Sequence, residues 1–120
     1  MRALSASDIL YAWEAGQQKH PVDRALLLLA LALPSFSPAL LRSLTIGQRN
    51  RQLLLLRQKT LGTPAKCFVQ CPHCAEKLEF TLDLSAMLPA EVEAPIEPGE
   101  LSEHMHTLSI DAFTLSFRVP

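Results

Sequence analysis

The spacing of apolar positions divides the chain into a helical first half and a β-rich second half. Up to Leu61 apolar residues recur at the three- and four-residue intervals of helices, whereas beyond Pro64 they recur at every second position, as in strands. The pattern therefore predicts an α+β protein, with an N-terminal four-helix head followed by a small antiparallel β module that carries a Cys-x-x-Cys knuckle.

Start and stop signals define the four predicted helices. Capping residues open three of them and a proline opens the remaining one, while proline follows the second helix and glycine follows the fourth. The predicted spans are about 5–18, 22–33, 38–44 and 45–61. The second helix has leucines around almost its whole circumference, which is typical of a helix buried on several sides. We expect it to be the centre of the head, or a surface that a partner completes.

Two hairpins are predicted in the second half. Strands over 66–70 and 78–82 flank a tight turn at 71–76, and the alternation of Leu78, Phe80 and Leu82 with polar residues indicates a half-buried strand. A second hairpin is predicted around Asp111-Ala112. The expected divisions are a helical head (1–63), a β-hairpin with the Cys knuckle (64–88), an acidic linker (89–103) and a C-terminal β-hairpin (104–120).

The knuckle is the main candidate for chemistry. Cys71 and Cys74, spaced Cys-x-x-Cys at a β turn, could supply two thiolates to zinc, but a structural zinc site needs four ligands. Additional candidate ligands are Cys67, His73, His104 and His106. One interpretation is a zinc site that is incomplete within this chain. The other is a turn without metal, with two small, partly buried cysteines and Cys67 packed inward from its strand.

Other uses of the cysteines are disfavoured. Three cysteines do not suggest a disulfide framework, and a redox pair would open a helix, whereas a strand follows here. No Gly-rich phosphate loop, Gly-x-Ser-x-Gly elbow or His-Glu-x-x-His helix occurs. We therefore expect no enzymatic activity.

Charge is unevenly distributed although the formal net charge is only −1. Six basic residues and no acidic ones lie within 42–66, and nine acidic residues and one basic lie within 76–111. The charge runs are either solvated faces or polar attachment surfaces, with Arg49, Arg51 and Arg57 as candidate partner-binding residues. The acidic balance disfavours a general nucleic-acid binder.

The longest apolar run has nine residues, which is too short for a membrane span. The absence of a signal peptide predicts a cytoplasmic protein.

Most of residues 5–120 resemble a family of small zinc-ribbon-containing proteins. Family members are encoded with contractile phage tails and related contractile injection systems, and are related to baseplate or baseplate-hub assembly proteins. The resemblance is carried by SASDILYAWEAGQQKHPVDRALLLLALALP, LTIGQRNRQLLLLRQKTLG, CPHCAEKLEFTLDLSAML and HTLSIDAFTLSFRVP. Its most specific pieces are the HPVDRA helix opening, the IGQR start of the fourth helix, and Cys-Pro-x-Cys followed by Leu-Glu-Phe.

The resemblance implies a non-catalytic structural or assembly component of a contractile tail or injection-system baseplate. Its partners would be other tail or baseplate proteins, and it would be cytoplasmic during assembly and then part of a virion or injection-system particle. Zinc is the implied metal. The alternative function is a zinc-ribbon adaptor that binds nucleic acid or a regulatory partner, supported by the knuckle and the basic stretch.

The chain departs from the family in two places. Family members usually have glycine after the second knuckle cysteine, where this chain has Ala75. They also continue past the hairpin into a helical region with a second Cys-Pro-x-Cys. The chain thus resembles an N-terminal half, either as a natural short form or with a missing C-terminal half that would complete the metal site.

Overall fold

The fold combines four helices with two antiparallel strand pairs, which confirms the α+β class and the knuckle-bearing β module. A computed structural model describes residues 1–88, 105–111 and 113–117. Within these ranges the elements are α1 (Ala6–Gly16), α2 (Pro21–Ala32), α3 (Pro38–Ser43), α4 (Ile46–Leu61), β1 (Pro64–Gln70), β2 (Lys77–Asp83), a 3₁₀ turn (Leu84–Met87), β3 (His106–Ile110) and β4 (Phe113–Phe117). The predicted linker lies outside the described residues, as do His104 and Val119.

Local side-chain bonds explain where the helices begin. Ser5 and Asp8 form a capping box at α1, and Thr45 and Gln48 form another at α4, so that unpaired N–H groups of the first turn gain acceptors. At α2 the Nδ1 atom of His20 accepts a hydrogen bond from the next-but-one N–H group, at 3.3 Å. These bonds link residues two or three positions apart, which is why the starts could be predicted.

The second helix is the centre of the head, because α2 packs against α1, α3 and α4. Its residues Leu29 and Ala32 are fully buried. They join a single apolar cluster with residues that follow α2 and with parts of α3 and α4, namely Leu33, Phe36, Leu41, Leu44 and Leu56. The circumference of α2 is covered only in part, however, since Val22 and Ala30 are exposed.

The first hairpin is attached to the end of α4 by backbone and guanidinium bonds. The Arg57 guanidinium donates to the carbonyls of Gly62 and Pro64 at 2.8 and 3.1 Å, and the Leu84 N–H donates to the Thr63 carbonyl at 3.1 Å. Apolar residues at the base of this hairpin are buried, namely Ala65, Leu84 and Leu88. The base of the hairpin is therefore anchored to the head, and its tip is the knuckle.

The expectation of a half-buried second strand is wrong. Every residue of β2 is exposed, including Leu78, Phe80 and Leu82 at 48, 45 and 38%. The alternation does place these residues on one side of the hairpin, but within the described residues no second layer covers that side. No helix in the described ranges is long and apolar enough to cross a membrane.

The Arg2–Asp8–Ser5 cluster at the start of α1 should make the free energy of unfolding depend on pH in the acidic range. The Asp8 carboxylate accepts from two guanidinium nitrogens of Arg2, at 2.6 and 2.9 Å, and from the N–H and hydroxyl of Ser5. Arg2 and then Ser5 hold the pKa of Asp8 well below its usual range. A depressed pKa adds stability that is complete above the unfolded-state pKa and is lost as the pH falls towards the folded-state value.

We therefore expect Asp8→Asn to destabilise the protein at pH 7 and to cost less at pH 3. The unfolded-state carboxyl group is protonated from about pH 4 downwards, which removes part of the advantage of the wild type. Urea unfolding of both proteins at the two pH values measures this change. An equal cost at pH 7 and pH 3 would show that the Asp8 charge does not contribute through this cluster.

Candidate metal knuckle and exposed hairpin faces

The turn between β1 and β2 is closed by three hydrogen bonds. The Cys71 N–H donates to the Glu76 carbonyl at 2.8 Å, and the Ala75 N–H donates to the Cys71 carbonyl at 2.9 Å. The Gln70 side-chain amide donates to the Ala75 carbonyl at 3.0 Å. These bonds hold Cys71 and Cys74 close together at the tip of the hairpin.

The surroundings of Cys71 favour a thiolate. The backbone N–H groups of Cys74 and His73 donate to the Cys71 sulfur, and these bonds, with one from the Cys74 side chain, lower the pKa of the Cys71 thiol. Thiolate is the form that binds metal and reacts as a nucleophile. The Cys74 sulfur faces the Glu76 carboxylate at 4.0 Å. Cys71 is half-buried and Cys74 is exposed, so both are open to a ligand.

Of the other predicted ligands, His73 lies within this turn and is exposed, His104 lies outside the described residues, and Cys67 and His106 lie elsewhere. Cys67 lies four residues back on β1, and its thiol is 3.5 Å from the Ala65 carbonyl. His106 stacks on Phe117 in the C-terminal hairpin, with 5.6 Å between ring centroids. Within 1–88, 105–111 and 113–117 no three His, Cys, Asp or Glu side chains are grouped so that they could hold a metal ion.

The cysteine pair therefore fits half of a zinc site. Its spacing, the N–H groups directed at one sulfur and its exposure suit two of the four ligands of a tetrahedral ion. Ligands from outside the described residues would have to supply the rest. Bound zinc would cross-link the two ends of the turn and so stabilise the tip of the hairpin.

Ala75 is a strained residue within the knuckle. Its φ is +58°, in the left-handed region where a Cβ atom costs about 1 kcal/mol or more and glycine costs nothing. We expect Ala75→Gly to stabilise the turn by about 1 kcal/mol, which would slow hydrogen exchange of the Cys71 amide about fivefold. Ala75→Ser is the control, because it keeps the Cβ. Equal rates of Cys71 amide exchange in the Gly and Ser variants would show that the backbone at Ala75 is not strained.

The C-terminal hairpin has one apolar face and one hydroxyl face. On the apolar face the register pairs Leu108 with Leu115 and Ile110 with Phe113. The same face carries the pair of His106 with Phe117. The intervening rows, on the opposite face, pair Thr107 with Ser116 and Ser109 with Thr114. The apolar face is uncovered, since Phe113 is 80% exposed and Leu115 is 59% exposed. Asp111 at the turn has a φ of +52°, which aspartate tolerates better than most residues.

The head has an apolar groove of its own. A cavity of about 290 Å³ lies between the start of α1, α2 and α4, lined almost wholly by apolar side chains including Leu4, Ile9 and Leu61. Ile9 is 44% exposed, and Leu10 and Trp13 of α1 are 55 and 64% exposed. The leucine-rich pattern indicated apolar helix faces, but not which of them stay uncovered.

The three candidate partner-binding arginines have different surroundings. Arg57 is half-buried and donates two hydrogen bonds to backbone carbonyls at the joint between the head and the hairpin, which gives it a structural role. Arg49 and Arg51 are also half-buried on α4. A role of these arginines in binding a partner, and the alternative of a nucleic-acid or regulatory adaptor, stay predictions.

Comparisons of the chain with protein-family models, curated proteins and solved structures each gave no match.

Proposed function

We propose that this protein is a non-catalytic assembly component of a contractile phage tail or injection-system baseplate, acting through protein–protein contacts. The exposed apolar face of the C-terminal hairpin carries the proposal. A two-stranded hairpin is at best marginally stable by itself in water, and such a face is normally covered. In the described residues Ile110, Phe113 and Leu115 are each 59% exposed or more.

Two further features support a role in assembly. The strand edges of both hairpins are unpaired within the described residues, so they offer N–H and C=O groups to a strand of another protein. The head adds the apolar groove beside Ile9. We propose other tail or baseplate proteins as the partners because the helical head and knuckle resemble those of baseplate-assembly proteins.

Gene deletion in a strain that produces contractile particles tests this function. We expect deletion to abolish complete sheathed particles, counted by negative-stain electron microscopy, and the wild-type gene to restore them. An unchanged number of contracting particles in the deletion strain would contradict the proposal.

Two complementing variants test the hairpin face. Leu115→Glu places a charge on the apolar face, and Ser116→Glu places the same charge on the opposite, hydroxyl face. Both side chains are exposed, so neither change should unfold the protein by burying a charge. We expect Ser116→Glu to restore particles and Leu115→Glu to fail, because a charge in a covered apolar contact is costly. Equal restoration would show that this face makes no essential contact.

We further propose that the knuckle holds a structural zinc ion, with Cys71 and Cys74 as two of its ligands. The support is the cysteine spacing and the N–H groups directed at the Cys71 sulfur. Zinc content of the purified chain tests this proposal, and Cys74→Ser should abolish binding. Cys74 is exposed, so the serine variant removes a ligand without removing packing.

A further inference from the structure

We propose that the zinc ion is shared between two copies of this chain, each of which supplies the thiolates of Cys71 and Cys74 to one four-thiolate site. This inference rests on the proposed binding of zinc by the knuckle. Each copy offers the Cys71 and Cys74 sulfurs, which are half of a tetrahedral set of ligands. Among the described residues no third ligand joins the pair.

Distance excludes the nearest cysteine. Zinc–sulfur bonds are about 2.3 Å long, so all four sulfurs must lie within about 4 Å of one another. Cys67 is four residues from Cys71 along a strand, which corresponds to roughly 13 Å at the rise of an extended chain. The Cys67 thiol is also occupied with the Ala65 carbonyl.

Symmetry makes a second copy a suitable source of the missing pair. In a two-fold dimer the same patch of both copies meets at the axis, so an ion on that axis receives identical ligands from each chain. The pair lies at the tip of a hairpin whose other end is anchored to the head, and every residue of 72–83 is exposed. The tip is thus free to meet its own copy without obstruction by the head.

The surface next to the cysteines is apolar on the side where a second copy would lie. The register places Ala65 with Leu82, Cys67 with Phe80, and Val69 with Leu78 on one side of the hairpin. Cys71 continues this alternation beyond Val69. Val69 and Leu78, the row closest to the knuckle, are 46 and 48% exposed. A second copy that completes the ion would also cover this row.

The size of the apolar side makes the dimer depend on the metal. Five residues of two paired strands span roughly 17 Å by 10 Å, or about 170 Å². A stable protein interface buries about 800 Å² on each partner. The apolar side alone is therefore too small to hold two copies together.

Binding of one zinc ion by the two copies replaces four S–H bonds with four S–Zn bonds and releases four protons to the solvent.

Zinc titration of the metal-free 120-residue chain, followed by native mass spectrometry, tests the inference. We expect a monomer without zinc and a dimer that contains one zinc per two chains. Cobalt in place of zinc should give the absorption spectrum of a tetrahedral tetrathiolate site. Cys74→Ser should abolish both the metal binding and the dimer.

Two charge variants test the apolar side. Leu78→Glu introduces a carboxylate beside the knuckle, while Phe68→Glu introduces one on the opposite side of the same hairpin, where the aromatic ring is 59% exposed. We expect Leu78→Glu to weaken zinc-dependent dimerisation at least about tenfold, equivalent to about 1.4 kcal/mol. Phe68→Glu should change it much less.

The outcomes separate this inference from the proposal on which it rests. One zinc per monomer would keep the zinc proposal and overturn the shared site, as would a dimer that persists in a chelator. Failure to bind zinc or cobalt at micromolar concentrations would overturn both. Equal dimerisation of the two Glu variants would overturn the predicted placement of the second copy.

Discussion

Leu29→Ala should lower the free energy of unfolding by about 3–5 kcal/mol, the largest effect expected of a single side chain in this protein. Leu29 is 0% exposed and lies in the central apolar cluster, on the helix that contacts the other three. Truncation loses the burial of three carbons and leaves a cavity between helices that cannot easily close. Small domains have only about 5–15 kcal/mol of stability in total.

Urea unfolding followed by circular dichroism measures this change. Leu10→Ala is the matched control, because Leu10 is 55% exposed on α1 and its truncation should change stability by about 0.5 kcal/mol or less. If Leu29→Ala does not fold, Leu29→Met gives a milder version with an expected cost below about 1.5 kcal/mol. Equal costs for Leu29→Ala and Leu10→Ala would show that α2 is not the centre of the head.

Gln52→Leu should raise the free energy of unfolding by about 1–3 kcal/mol. Gln52 is 1% exposed on α4, and within the described residues neither its amide nitrogen nor its amide oxygen has a hydrogen-bond partner. It lies on the same side of the helix as Leu55 and Leu56, which are also buried. Leucine is close in volume to glutamine and removes the cost of burying the amide without a bond.

The control is Gln58→Leu, six residues further along the same helix, where the side chain is only half-buried. It should change stability by about 0.5 kcal/mol or less, since its amide keeps contact with water. Thermal and urea unfolding of both variants measure the difference. A destabilised Gln52→Leu would mean that the amide makes a favourable bond in the folded protein.

Features that depend on neighbours in the sequence could be predicted. The capping boxes at Ser5 and Thr45 are closed by residues three positions further on. The hairpin pairings follow from alternation around two turns, since a slip of one residue would move the apolar residues to the other side. The two knuckle cysteines are brought together by their own turn, so Cys71 and Cys74 could be named from their spacing alone.

Features that depend on distant contacts could not be predicted. The alternation in β2 put Leu78 and Phe80 on one side correctly, but covering that side requires a second layer from elsewhere. Gln52 is buried beside Leu55 and Leu56, although a glutamine in the sequence gives no sign that its amide will be buried. From the sequence, Arg57 was a candidate partner-binding residue. In the structure its guanidinium donates to two backbone carbonyls at the joint between α4 and β1.

The sequence by itself determined the α+β class, the helix starts and the cysteine pair. Each of these follows from steric preferences and hydrogen bonds over a few residues, which act before the chain is compact. The tertiary structure decided which apolar surfaces remain uncovered, which polar group is buried, and that no third candidate metal ligand joins the two knuckle cysteines within the described residues. The physical reason is that burial and ligand sets are created by the meeting of segments far apart in the chain, and no local pattern encodes that meeting.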